Sequence, residues 1–128
     1  MVMTLLPNNE QCLGIDWGEV RIGLALGNSE VKLASPLGVA KNLEDIKRVI
    51  VAEKIERLVL GEPINEKMNE NFLAFKKELE TLNLPLSLVD ERFSSQAADS
   101  LDPQARKEGN RDAMAAMIIL QSWFDQKK

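Results

Sequence analysis

The sequence contains no histidine and only one cysteine, Cys12, and these two shortages exclude several kinds of site. Disulfide frameworks and zinc sites built on thiolates need more cysteines than the chain has. Without histidine, neither a Ser-His or Cys-His nucleophile pair nor an imidazole general base can form. Any catalysis must therefore depend on carboxylates, lysine, hydroxyl groups or a metal ion held by oxygen ligands.

The sequence has no long apolar run, and we do not expect a secretory leader. The start, MVMTLLPNNEQ, has a short apolar run without a basic flank, so we expect no signal peptide. No stretch approaches the roughly 18 apolar residues of a membrane span. The sequence therefore predicts a cytoplasmic protein with no membrane partner.

Acidic residues outnumber basic ones. The net charge is -4 and the sequence pI is about 4.9, whereas a nucleic-acid-binding protein usually has a basic surface. Binding to nucleic acid would therefore require clustered cations, or bound divalent ions that cancel several carboxylates.

The length of 128 residues fits a single domain, 1–128, in which we expect 1–10 to be a loose N-terminal extension. The apolar pattern predicts the order β-β-β-α-β-α-β-α-α. Predicted strands cover 12–17, 20–26, about 30–36, 57–63 and 84–89, with turns at Gly18-Glu19 and Gly27-Asn28. Four helices are predicted. The first follows an Asn42 N-cap, the second runs from Glu66 to Leu82, the third covers ERFSSQAADSL, and the fourth follows an Asn110 N-cap.

This order of elements indicates an α/β fold. Helices between the later strands require parallel crossovers, whereas the first three strands can be joined as hairpins. The sequence therefore predicts a mixed five-stranded sheet with helices on both faces.

Acidic residues lie at or near the ends of the three strands that we expect to be parallel. Asp16 lies near the end of the first, Glu62 lies near the end of the fourth, and Asp90 and Glu91 follow the fifth, while Asp112 opens the last helix. Open α/β sheets bind ligands at this edge. Carboxylates that converge repel one another unless a cation lies between them, and oxygen ligands suit Mg²⁺ or Mn²⁺. The pattern favours a site for two such ions, which can promote phosphodiester cleavage.

Each acid also has a simpler explanation. Asp16 precedes a turn, Glu62 precedes a proline, and Asp90 and Glu91 can be ordinary solvent-facing acids. Asp112 suits the N-terminal end of a helix whatever the function. The convergence, rather than any single residue, supports the metal site, and a part for Glu62 or Glu19 stays open.

Basic and hydroxyl residues beside these acids are candidates for phosphate contacts. The basic residues are Arg21, Arg92, Arg106, Lys107 and Arg111. A guanidinium group matches phosphate oxygens bidentately, although Arg21 or Arg92 can equally pair with a neighbouring acid. Ser94 and Ser95 can cap the short helix or donate to a phosphate.

Four blocks together resemble the YqgF (RuvX) family: GIDWGEVRIGLA, LVLGEP, VDERFSSQAA and RDAMAAMIILQSWF. The resemblance extends from about Cys12 to Phe124 and implies a ribonuclease-H-like fold. It implies that the catalytic acids are Asp16, Glu91 and Asp112, with Asp90 a further metal ligand. It also implies that the phosphate-binding arginines include Arg21 and Arg92.

The same resemblance implies a metal-dependent nuclease, monomeric or weakly dimeric, that processes the 5′ end of pre-16S ribosomal RNA. A Holliday-junction resolvase and a catalytically weak module in ribosome assembly are the alternatives. The chain departs from the family at Glu19 and Val20, where a small hydroxyl residue and a lysine are usual, in the loop INEKMNEN, where glycines are usual, and in the shortened basic segment DPQARKEGNR. The substrate, RNA or DNA, stays open because neither base-reading aromatic residues nor a recognition helix is evident.

Overall fold

The structure, a computed structural model, describes residues 9–63, 69–90 and 110–126. This part of the chain forms one five-stranded sheet and three helices. The strands are β1 (Gln11–Asp16), β2 (Ile22–Asn28), β3 (Leu33–Ala40), β4 (Arg57–Glu62) and β5 (Leu86–Asp90). The helices are α1 (Leu43–Ala52), α2 (Glu70–Glu80) and α3 (Asn110–Gln126).

The strand order β3-β2-β1-β4-β5 confirms the predicted mixed sheet. Strand β2 pairs antiparallel with both β1 and β3, whereas β1, β4 and β5 are mutually parallel. The carboxyl ends of β1, β4 and β5 therefore lie along one edge of the sheet.

Two apolar layers cover the two faces of the sheet. One contains Ile46 of α1 and Phe72, Phe75 and Leu79 of α2 against apolar side chains of the sheet. The other contains Ala116, Ile119, Leu120, Trp123 and Phe124 of α3. The periodic stripes predicted for the helices are thus the buried stripes, and the helices lie on both faces as predicted.

The predicted hairpin between the second and third strands was displaced along the sequence. The turn is at 29–32 rather than at Gly27-Asn28, because the Lys32 N–H donates to the Asn28 carbonyl oxygen at 2.8 Å. Lys32 has a φ of 63°, the left-handed value that closes this turn. Gly27 lies within β2, where a Cβ atom would come within 2.7 Å of the Phe124 ring. Its small size serves helix packing rather than a turn.

The helix starts depend on asparagine caps. The Asn42 side chain accepts the Asp45 N–H at 3.0 Å, which confirms the predicted cap of α1. Asn69 caps α2 by accepting the Phe72 N–H at 2.9 Å, so this helix begins at Glu70 rather than at Glu66. Asn110, predicted as a cap, is the first residue of α3.

Glu10 is held firmly, although it was predicted to belong to a loose extension. Its N–H donates to the Ser29 hydroxyl at 2.7 Å, and its carboxylate pairs with Arg57 at 2.8 Å. Residues 1–8 and the short helix predicted in ERFSSQAADSL lie outside the described residues. Within the described ranges, no helix is long and apolar enough to cross a membrane.

Candidate active site at the edge of the sheet

Asp16 ends β1 on the sheet face that α3 covers. A Cβ atom added to Gly14 would come within 2.8 Å of both the Ala116 carbonyl oxygen and the Leu120 side chain, so Gly14 faces α3. Because side chains alternate along a strand, Asp16, two residues later, faces the same way. Asp16 is also the direct antiparallel partner of Gly23 on β2.

Asp112, in the first turn of α3, lies against this same pair of strands. A Cβ atom at Gly23 would come within 2.0 Å of the Asp112 carbonyl oxygen, so the helix backbone rests directly on the glycine. Paired residues of an antiparallel ladder point to the same face. The structure therefore brings Asp16 and Asp112 to one face at one edge of the sheet.

Arg21, just before β2 begins, forms an ion pair with Asp112. Its Nε donates to Asp112 Oδ2 at 2.7 Å, and the two side chains are 34% and 25% exposed. The ion pair engages one carboxylate oxygen of Asp112 and offsets part of the acidic charge. Arg21 was predicted to contact phosphate or a neighbouring acid, and in this structure it contacts the acid of α3.

Glu62 and Asp90 end their strands at the same edge but on the opposite face. A Cβ atom at Gly61 would come within 2.4 Å of the Ile119 side chain, so Gly61 faces α3 and Glu62 faces away. Asp90 is the register partner of Glu62 and shares its face. The structure thus does not bring the predicted ligand Asp90 onto the face of Asp16 and Asp112.

The donor chemistry of Asp16 and Asp112 fits a hard divalent cation, because both supply carboxylate oxygens on one face. Two such residues do not complete a metal centre. Among the described residues, no three acidic or cysteine side chains are close enough together to hold a metal ion. The predicted third acid, Glu91, lies outside the described residues.

Most of the residues predicted to contact phosphate lie outside the described part of the chain. They are Arg92, Ser94, Ser95, Arg106 and Lys107. Arg111 is exposed in the first turn of α3, directly before Asp112. Arg21 thus pairs with Asp112, and Arg111 directly precedes Asp112 in the chain.

Sequence reasoning missed the part that Gly23 plays. Its lack of a side chain lets the first turn of α3 approach β2 closely enough to place Asp112 beside Asp16. A glycine inside a strand often marks such a close approach, so the signal was present in the run RIGLALG.

The family profile for RuvX, described as "Holliday junction resolvase", matches residues 10–126. The chain belongs to the RuvX family. A relative from Cupriavidus metallidurans is 39% identical over 94% of this chain and 89% of its own length. One from Nitrosospira multiformis is 36% identical over 94% of this chain and 91% of its own length. Both have the name "Putative pre-16S rRNA nuclease".

Two solved structures show the fold. RuvC from T. thermophilus, in complex with a Holliday junction substrate, aligns with a TM-score of 0.56 at 20% identity, covering 92% of this chain and 95% of RuvC. The Fowlpox virus resolvase, also bound to junction DNA, aligns with a TM-score of 0.55 at 12% identity, covering 91% and 97%. The RuvX chain thus has the ribonuclease-H-like resolvase fold and belongs to a family of nucleases, hydrolases of ester bonds.

Proposed function

We propose that this RuvX protein is a cytoplasmic, metal-dependent nuclease that processes the 5′ end of pre-16S ribosomal RNA. The observation that carries the proposal is the placement of Asp16 and Asp112 on one face at the carboxyl edge of the parallel strands. Metal-dependent hydrolysis needs carboxylate ligands and no histidine, so it suits a chain that lacks histidine. The lone thiol is fully buried and its pKa is raised to about 12, so Cys12 cannot serve as a nucleophile.

Asp16 and Asp112 would hold Mg²⁺ or Mn²⁺, with Glu91 as the third acid. Strand β5 argues against Asp90 as that ligand. Val89 belongs to the apolar layer of α3, so Asp90, the next residue, faces away from Asp16 and Asp112. When bound, such a cation would stabilise the negative charge that builds on the phosphodiester group during its cleavage.

The arginines have separate duties in this proposal. Arg21 holds the Asp112 carboxylate through its Nε and so fixes the orientation of that ligand. Arg111 lies next to Asp112 and is exposed, which suits contact with a substrate phosphate. The sequence offers five more candidates for contact with a substrate phosphate: Arg92, Arg106, Lys107, Ser94 and Ser95. The protein would work as a monomer or a weak homodimer.

A second candidate is resolution of Holliday junctions, which the family description names. The two solved neighbours are below 25% identity and support the fold alone. The relatives named for pre-16S rRNA are 36% and 39% identical over most of the chain, and they favour RNA.

A cleavage assay with both substrates tests the proposal. We expect a precursor RNA that extends past the mature 5′ end to be cut in Mg²⁺ or Mn²⁺ and left intact in EDTA. Asp16→Asn should abolish cutting, whereas the exposed α2 variant Lys77→Ala should cut like the parent. Faster cutting of a four-way DNA junction would favour the resolvase. Equal cutting by parent and Asp16→Asn would reject the site.

A further inference from the structure

A cleft of about 310 Å³ lies on the sheet face opposite Asp16, between the β1–β2 turn and helices α1 and α2. This volume is near the lower end of ligand pockets and suits one nucleotide better than a duplex. Its polar and aromatic lining residues are Trp17, Glu19, Lys41, Asn42, Asn71, Phe75 and Glu78. None of these residues belongs to the site formed by Asp16, Arg21 and Asp112.

Trp17 supplies an aromatic surface inside this cleft. Trp17 is a partly exposed residue, and its ring meets the buried Phe72 ring at a centroid distance of 5.7 Å with an angle of 70° between the planes. Among the described residues, no aromatic ring lies flat against Trp17. Flat stacking of a nucleobase on a tryptophan is a sequence-tolerant way to hold single-stranded nucleic acid.

The polar groups of the cleft suit a base better than a phosphate. Asn71 Nδ2 donates to Glu19 Oε2 at 3.3 Å, so an amide and a carboxylate stand together beside the ring. Such groups can bond to the edge of an unpaired base. The N-terminus of α1 is a poor phosphate site, because its first turn contains the carboxylates of Glu44 and Asp45 and the Asn42 side chain already accepts the Asp45 N–H at 3.0 Å.

Residues that line the cleft are adjacent in the sequence to residues of the candidate active site. Trp17 directly follows Asp16, and Ile22, which also lines the cleft, directly follows Arg21. Successive side chains of a strand point to opposite faces, so Asp16 and Trp17 lie on the two sides of the sheet at the carboxyl end of β1. A nucleic-acid strand that contacts both residues would have to pass over this end of the sheet.

We propose that this cleft binds an unpaired nucleobase next to the cleaved phosphate, by stacking on Trp17. The inference rests on the proposed function for the position of that phosphate. Binding of this kind requires the nucleic acid to be single-stranded beside the cleavage position, as in an unpaired 5′ extension. A continuous duplex should therefore be a poor substrate.

Binding of two hexanucleotides tests the cleft without any cleavage. Oligoadenylate and a hexamer of abasic sugar phosphates have the same charge and differ only in their bases. In EDTA we expect oligoadenylate to quench tryptophan emission and to bind at least about tenfold more tightly than the abasic hexamer. Trp123 is only 7% exposed, on the opposite face of the sheet, so the quenching should report Trp17.

Two variants separate stacking from folding. Trp17→Leu should lose the quenching and bind both hexamers equally. Ala74 is exposed and lines the cleft, so Ala74→Leu should fill it and weaken oligoadenylate severalfold without touching the core. The matched change Ala52→Leu, on the exposed end of α1, should leave binding as in the parent.

The proposed stacking in the cleft would be overturned if the parent bound the two hexamers with equal affinity, or if quenching persisted in Trp17→Leu. Unchanged oligoadenylate binding by Ala74→Leu would overturn it as well, even where Trp17→Leu failed to fold. These measurements are independent of cleavage. Quenching without any nuclease activity would reject the proposed function alone, and cleavage without quenching would reject the cleft alone.

Discussion

Arg21 Nε donates to Asp112 Oδ2 at 2.7 Å, although the two residues are 91 positions apart in the sequence. The bond joins the start of β2 to the first turn of α3. It also holds one of the two placed acids in a fixed orientation. The pair is therefore both a tertiary contact and part of the candidate site.

A double-mutant cycle measures what this pair contributes to folding. Both side chains are partly exposed, so we expect Arg21→Gln to lower the free energy of unfolding by only about 0.5–1 kcal/mol. Asp112→Asn should cost about the same, and the double variant should cost no more than one single variant. Urea unfolding checks these values. Costs that add fully would show that the two charges do not interact in solution.

Gly23→Ala should disturb the site through the backbone. The added Cβ would meet the Asp112 carbonyl oxygen at 2.0 Å, and neither backbone can yield without moving α3 from β2. We expect a loss of stability of about 1–3 kcal/mol, and loss of cleavage even where the protein still folds. Ser35→Ala, at an exposed position of β3, is the control and should change neither property. A variant as active and stable as the parent would show that α3 does not pack here as described.

Asp16→Asn should lose its response to metal while keeping its fold. Carboxylates around a metal-free site repel by about 1–4 kcal/mol per close pair at surface-like dielectric, and the neutral amide relieves that repulsion. The variant in EDTA should therefore melt at the same temperature as the parent or higher. Mg²⁺ should raise the melting temperature of the parent by mass action and that of the variant much less. A variant that melts lower and responds like the parent would make Asp16 a turn residue only.

Arg111→Ala should weaken binding to nucleic acid more than Lys77→Ala, although each removes one positive charge. Arg111 adjoins Asp112, whereas Lys77 lies on α2. Loss of one phosphate contact should reduce the slope of log K against log salt by roughly one unit for Arg111→Ala alone. Titrations of labelled RNA at several salt concentrations in EDTA provide the slopes. A larger change for Lys77→Ala would place the binding face on α2.

The thiol of Cys12 gives stability a defined dependence on pH. Burial, and next the nearby Glu10 carboxylate, raise its pKa from 9.0 to about 12. The unfolded chain ionises this thiol from pH 9 upward while the folded chain does not, so the contribution is complete below pH 9 and falls as pH rises toward 12. The stability gap between the parent and Cys12→Ala should then shrink by about 1 kcal/mol per pH unit in this window. Urea midpoints at pH 8 and 10.5 measure the gap, and a constant gap would contradict the shifted pKa.

Local patterns were sufficient to predict most of the fold. The helical spacing of apolar residues marked the buried stripes of α1, α2 and α3, because a helix must bury one face. Crossover helices forced β1, β4 and β5 to be parallel, which put their acidic ends at one edge. The β2–β3 turn shows the limit of this reasoning. In the sequence Gly27 is typical of a turn, whereas in the structure it lies in β2 and leaves room for the Phe124 ring.

The sequence by itself determined that acids lie at or near the ends of the parallel strands, and in the structure each of Asp16, Glu62 and Asp90 is the last residue of its strand. Which face each acid occupies was decided by the tertiary structure. A shift of one residue in strand register reverses the face of every side chain, and register depends on packing against distant elements. Contact of α3 with Gly23 placed Asp112 beside Asp16, while the pairing of β4 with β5 placed Asp90 on the other side.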